Sequence, residues 1–265
     1  CMLTVVKNQM RVCALSVKYN IMREMVNKVT FLTNVGFMVL NNATFLVQWM
    51  ILLRMRGDVG GYTMREIMLL WGFMAASFGL SHILFARAFS LSDLIIKGKL
   101  DSFLVQPKNV LVSVLTSATD SSAIGDFLYG TALVCACKPG VGGFFLFLLL
   151  VVTGTVIFTA FAVLLGSLSF WFVRMDMLQN QIVMGIVSFG TYPDGIFKGA
   201  SRFFLYFIIP VGMAVWHPVH LMVSFDAGMF FTVAGYACVL LALAVAVFYR
   251  GLRRYASGNL MVARL

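Results

Sequence analysis

Apolar runs of membrane length dominate this chain and leave it few ways to fold. They cover residues 31–53, 67–89, 141–172 and 227–249, with a further run inside 109–137, its apolar part nearer the end. A helix rises 1.5 Å per residue, so about 20 apolar residues cross a hydrocarbon core of roughly 30 Å. The run at 178–192 is shorter and stops at Pro193. The run at 203–223 is interrupted by Pro210 and Pro218. A membrane β-barrel would instead show short alternating segments. Hydrophobic residues make up 61% of the chain and charged residues 11%, far from the balance of a water-soluble domain. The expected fold is therefore all-α and integral to the membrane, a single transmembrane domain over 1–265.

The formal net charge of +10 does not point to nucleic acid. The cations sit at the ends of apolar runs, where they meet lipid headgroups. Lys7, Arg11, Lys18, Arg23 and Lys28 precede the first run, and Arg250, Arg253, Arg254 and Arg264 follow the last. The positive-inside rule then places both termini in the cytoplasm, which requires an even number of crossings. Six crossings also put Arg87, Lys97, Lys99, Lys108 and Arg174 inside. Arg54, Arg56, Arg65, Lys138, Lys198 and Arg202 then lie outside. The proline-broken segment becomes a re-entrant or helical hairpin (193–223) on the outer side, before the sixth span. Irregular backbone at that depth must be covered by protein or water.

Residues 3–28 lack a membrane-length run. Leu3, Val6, Met10, Cys13, Val17 and Ile21 share one side of a helical wheel, with Lys7, Arg11 and Lys18 beside them. That is the pattern of a helix lying in the membrane interface. The first thirty residues read as too polar for a cleavable signal peptide. The five cysteines show no metal spacing and read as apolar fillers. His217 and His220, next to Pro218, make a poor metal site without further ligands, so no metal is expected.

No catalytic motif is present. The one Gly-Lys pair, Gly98-Lys99, is followed by Leu100 and lacks the upstream glycine of a phosphate-binding loop. HExxH and GxSxG are absent as well. The expectation is a chain that is not an enzyme and carries no cofactor of its own.

The longest inside loop, 90–108, reads as a short amphipathic helix and turn. Leu91, Leu94, Ile95 and Gly98 share a face, Asp93, Lys97, Asp101 and Lys108 carry charge, and Pro107 ends it. Its position suits docking of a cytoplasmic partner. The stretch Ile96-x-Gly98-x-Leu100-Asp101-x-x-Leu104-x-x-Pro107 resembles a signature of the type-2 ABC transporter membrane family, "ABC-2 family transporter protein". Gly125-Asp126, Thr191-Tyr192-Pro193-x-x-Ile196-Phe197, Ile209-Pro210, Trp216-His217-Pro218 and Tyr249-Arg250-x-x-Arg253-Arg254-Tyr255 follow in order. One departure is the first outer loop, which carries three arginines. The resemblance implies an interfacial helix, six spans and a small outer hairpin marked by Tyr192, Pro193, Pro210, His217 and Pro218. It also implies an exporter in the inner (plasma) membrane, with two permeases, identical or paralogous. These would dock on a dimer of separate ATP-binding subunits that hold ATP and Mg. The coupling element would lie around Asp93, Lys97, Gly98, Leu100, Asp101, Leu104 and Pro107.

Inside the membrane, Asn34, Asn41 and Gln48 recur every seven residues and share a face of the first span. Amides avoid lipid, so that face should meet protein or line a pathway. Asp126 needs a partner or a place near the interface. His82 reads as a hydrogen-bonded core residue. A secondary transporter or channel uncoupled from ATP is the alternative, and it would call for intramembrane charges over several spans or an internal repeat.

Overall fold

The computed structural model describes residues 2–57, 59–172 and 175–255. The side chains of Leu3, Val6, Lys7, Met10 and Arg56, and all of Arg174 and Arg264, lie outside the described residues. The described chain is helical, with one isolated β-bridge between Val59 and Tyr62.

Helix α1 (Met2–Glu24) is followed by the long α2 (Lys28–Arg56) and α3 (Met64–Phe85). Three short helices come next: α4 (Leu91–Ile96), α5 (Asp101–Leu104) and α6 (Val110–Leu115). Then stand α7 (Ala123–Ala136), α8 (Gly140–Ser167) and α9 (Met175–Gly190). A bent pair, α10 (Ala200–Phe207) and α11 (His217–Val223), precedes α12 (Ala227–Leu252). Among the described residues, four helical stretches are long and apolar enough to cross a membrane: Lys28–Met55, Met64–Ile96, Gly140–Phe170 and Ala227–Leu252. A fifth is added if the pair Ala200–Phe207 and Gly212–Val223, bent by 71°, is one broken span.

Local chemistry explains the boundaries. Asn27 caps α2 by accepting from the Thr30 N–H at 3.2 Å. Gly57 ends that helix with φ +79, a conformation that costs glycine little. Before α3, the Thr63 N–H and hydroxyl both donate to the Glu66 carboxylate at 2.7 Å. Asp226 caps α12 by accepting from Gly228 and Met229 at 3.1 Å each. The N-terminal helix stops at Glu24, so residues 25–28 belong to the turn and the start of α2. The run inside 109–137 is two helices, because residues 116–122 leave helical geometry between α6 and α7.

α7 is the wedge of the bundle. A Cβ on Gly130 would overlap the Gly72 carbonyl of α3 and lie 2.6 Å from the Ala76 nitrogen. One on Gly79 would lie 2.8 Å from the Ala123 carbonyl and the Phe127 nitrogen. On the other side, a Cβ on Gly125 would come within 2.6 Å of the Val35 carbonyl of α2. Lipid supplies no hydrophobic drive between helices, so close backbone approach through small residues is how such helices associate. α8 packs on α3 in the same way, with Gly154 against Ser77 and the Thr155 hydroxyl donating to the Ser77 carbonyl at 3.1 Å. Gly130→Val is therefore expected to push α3 and α7 apart, at a cost of about 1–3 kcal/mol, and to lower the melting temperature in detergent. Gly36→Ala, with nothing within 4 Å, should leave it unchanged.

Candidate functional site

The 90–108 segment begins as a continuation of α3, up to Ile96, and turns at Gly98. A 3-10 turn, Ala86–Ser90, joins α3 to α4, so that helical geometry runs almost unbroken over Met64–Ile96. Leu91, Leu94 and Ile95 are buried. Gln179 of α9, fully buried, clamps the segment from the other side. Its amide nitrogen donates to the carbonyls of Ala88 and Ala162, each at 2.9 Å, and its oxygen accepts from the Ser92 N–H at 3.2 Å. One side chain thus ties α9 to α8 and to the start of α4.

Gly98 ends α4 with φ +67, closed by a Lys99 N–H bond to the Leu94 carbonyl at 2.9 Å. Leu100 is fully buried and anchors the turn. Asp93 and Lys97 form a surface ion pair at 2.5 Å. Leu104, Val105 and Pro107 are exposed, as are Lys97, Lys99 and Lys108. Asp101 is partly buried near Tyr255. Burial and that carboxylate raise the phenol above its ordinary pKa.

Both ends of the described chain meet this face. The Asn20 amide of α1 donates to the Thr116 carbonyl at 3.1 Å. The Tyr249 hydroxyl of α12 donates to Asn109 at 2.8 Å. On α1, Cys13, Val17 and Ile21 are partly buried, while Arg11 and Lys18 are exposed.

Along the bundle, α2, α3, α7 and α9 border an open groove of about 380 Å³. Asn41 and Gln48 line it; Asn34 is exposed elsewhere on α2. Asp126 lies on its wall, and Asn42 donates to its carboxylate at 2.5 Å. The Tyr129 hydroxyl donates to the Asn42 carbonyl at 3.3 Å. Phe45 stacks on Trp71 with ring centres 5.2 Å apart, and Trp49 meets Tyr192 edge-on at 5.5 Å. His82 is close to Phe78 and Phe89, its ring nitrogen 3.1 Å from the Phe78 carbonyl.

A family model described as "ABC-2 family transporter protein" matches residues 39–258. The chain belongs to this family. The same comparisons found no matching curated protein and no matching solved structure. As an ABC-2 family member with several apolar helices, the chain is a multi-pass membrane subunit of an ABC transporter.

At the end of the ABC-2 bundle away from α4 and α5, the residues after α9 form a latch. Asp194, 5% exposed, accepts from Arg202 at 2.9 Å and from the Tyr206 hydroxyl at 3.4 Å. His220 lies 3.5 Å from its other oxygen, and the Tyr62 hydroxyl lies 3.4 Å from His220. The latch joins the 57–63 turn, the Asp194–Ile196 turn, α10 and α11. Gly60, with φ +62, packs on Pro193 and Ile196. The buried Trp216 indole donates to the Tyr192 carbonyl at 2.9 Å. Pro210 is buried at the bend, Pro218 begins α11, and His217 packs edge-on against Tyr206 at 5.1 Å.

Three residues escaped sequence reading. Gln179 stands beside Asn180 and Gln181, and nothing in the spacing shows which amide turns inward. Asn42 stands beside Asn41, and the seven-residue repeat pointed to Asn41, which lines the groove, and not to the residue that holds Asp126. Asp194 became legible only once Arg202 and His220 folded over it.

Gln179→Leu strands the carbonyls of Ala88 and Ala162 and the Ser92 N–H. The expected loss is about 1–3 kcal/mol for each group left unsatisfied, read as a lower melting temperature in detergent. For Asp194, burial raises the pKa, but His220, Tyr62 and Arg202 outweigh it and hold the carboxyl below the usual range. Its contribution is therefore complete above the ordinary carboxylate pKa of about 4 and is lost as pH falls through the lower folded value. The acid limb of a melting-temperature profile should flatten in Asp194→Asn.

Proposed function

We propose that this chain is the permease subunit of an ATP-driven exporter, with 90–108 as its coupling region. The observation that carries the reading is the clamped continuity of that region with α3, α8 and α9. A push on Leu104, Val105 and Pro107 would move α3, α8 and α9 together instead of bending a loop. The ATP-hydrolysing partner is a dimer of separate subunits that binds ATP and Mg on the cytoplasmic side. The exposed Leu104, Val105 and Pro107, in a segment that also carries the exposed Lys97, Lys99 and Lys108, form the docking face. No residue of this chain does covalent chemistry. It supplies a two-state bundle whose equilibrium the ATPase biases.

In this reading the chain is one permease domain with six crossings: α2, α3, α7, α8, α9 and α12. Helices α7 and α9, roughly 21 and 24 Å long at 1.5 Å per residue, are short spans covered by their neighbours. α1 lies in the membrane interface, and the placement of α1 and the end of α12 beside the same short helices supports cytoplasmic termini. The 193–223 hairpin is the outer closure. A second permease, identical or paralogous, meets the exposed face of α2, and the groove holding Asn41, Gln48 and Asp126 belongs to the transport pathway, in the inner (plasma) membrane.

Two substitutions test the coupling. Gly98→Pro cannot adopt φ +67, so substrate should no longer stimulate ATP hydrolysis, with transport falling about tenfold or more while insertion persists. Asp101→Lys should do the same. Normal stimulation and transport in both variants would remove the coupling assignment. Leu104→Asp should abolish co-purification of a stoichiometric ATPase.

A further inference from the structure

We propose that the groove between α2, α3, α7 and α9 selects a lipophilic organic cation, with Asp126 as its charge anchor and the aromatic wall as its apolar seat. This rests on reading the groove as part of the permease pathway and adds the substrate class.

Asp126 is the one charged residue among those lining the groove. Among the described residues no cationic side chain pairs with it, in contrast to Asp93 and Asp194. The Asn42 amide donates a hydrogen bond to it. An ionised carboxylate offers about four acceptor positions, so one amide leaves most of its capacity open towards the groove. A carboxylate at membrane depth with so little compensation is costly to keep and commonly marks a ligand or ion pathway. It stands in the first turn of α7, where free backbone N–H groups favour negative charge.

The surroundings complete a cation site. The stacked Phe45–Trp71 pair and the Trp49–Tyr192 pair form one wall. Aromatic faces attract cations most strongly where water is scarce. Met38, Leu52 and Met74 add apolar surface, and Asn41 and Gln48 supply neutral polar contacts along the opening. An anionic amphiphile would face the Asp126 charge with no lysine or arginine to receive it. A neutral one would leave the carboxylate no better compensated than it is now. The chain is basic as a whole, with net charge +10, so this acidic site within an apolar groove stands against the background.

The probe pair is tetraphenylphosphonium and tetraphenylborate, equal in shape and opposite in charge. The purified transporter, permease with its ATPase, should bind tetraphenylphosphonium saturably, quench tryptophan fluorescence, and ignore tetraphenylborate at the same concentration. Asp126→Asn should weaken binding about tenfold or more, Asp126→Glu should retain most of it, and Phe45→Ala should weaken it about threefold. Equal affinity for the two probes, or unchanged affinity in Asp126→Asn, overturns the proposal. Should Asp126→Asn fail to assemble, unchanged affinity in Phe45→Ala, whose side chain is half-exposed, overturns it instead. Disulfide formation between Gln48→Cys permeases that tetraphenylphosphonium does not reduce would show a second copy filling the groove, and also defeats it. ATPase co-purification with no cation binding sinks this inference and leaves the permease reading standing. Loss of the ATPase sinks the permease reading itself.

Discussion

The close passage of α7 between α2 and α3 governs the rest of the molecule. Gly125 lets α7 touch the backbone of α2, while Gly130 and Gly79 let it touch α3. A methyl group at any of these places would meet backbone atoms, which cannot rotate aside. In lipid no hydrophobic force closes such gaps, so the missing side chains are what allow dispersion contacts to form. Because Asp126 follows Gly125 directly, the same contact sets its carboxylate against Asn42 and turns it to the groove. A helix of 14 residues thereby becomes the organiser of the polar interior.

The two ends of the bundle are built on different principles. At the α4–α5 end, buried leucines and a single amide hold the short helices to the long ones. Gln179 satisfies three backbone groups at once, which makes the junction stiff rather than strong. A stiff junction transmits displacement, whereas a loose loop would absorb it. At the opposite end the fixing elements are charged. Asp194 collects Arg202, Tyr206 and His220, and the bend of 71° between α10 and α11 is covered by aromatic rings stacked around Trp216. Broken backbone needs such cover wherever water is limited. In the proposed permease, a stiff end and an electrostatically latched end suit a device that is driven from one side and opens on the other.

Much of this was legible in the chain itself. The apolar runs near 31–53, 67–89, 141–172 and 227–249 each became long helices, because no other structure satisfies so many backbone groups in lipid. The apolar face of Leu91, Leu94 and Ile95 was readable from spacing, and those side chains are buried. Leu100 entered only as part of a family signature, and its burial as the anchor of the turn was not readable from that. Of the seven-residue repeat of Asn34, Asn41 and Gln48, two residues line the groove, while Asn34 is exposed elsewhere on α2. Periodicity reports direction around a helix axis, and it carries no information about which depth a neighbouring helix covers.

Composition and charge placement alone determined that this polypeptide is a helical membrane protein, and the order of its short motifs was enough to suggest its family. These features are local, since chain length, apolarity and cation position act through the bilayer and need no partner residue. Tertiary structure alone decided that Asn42 rather than Asn41 holds Asp126, that Gln179 rather than Asn180 or Gln181 clamps the start of the 90–108 segment, and that Asp194 is the centre of the far latch. Each of those outcomes depends on two segments 8 to 91 residues apart meeting in space, and such a meeting is set by packing geometry that no stretch of sequence contains by itself.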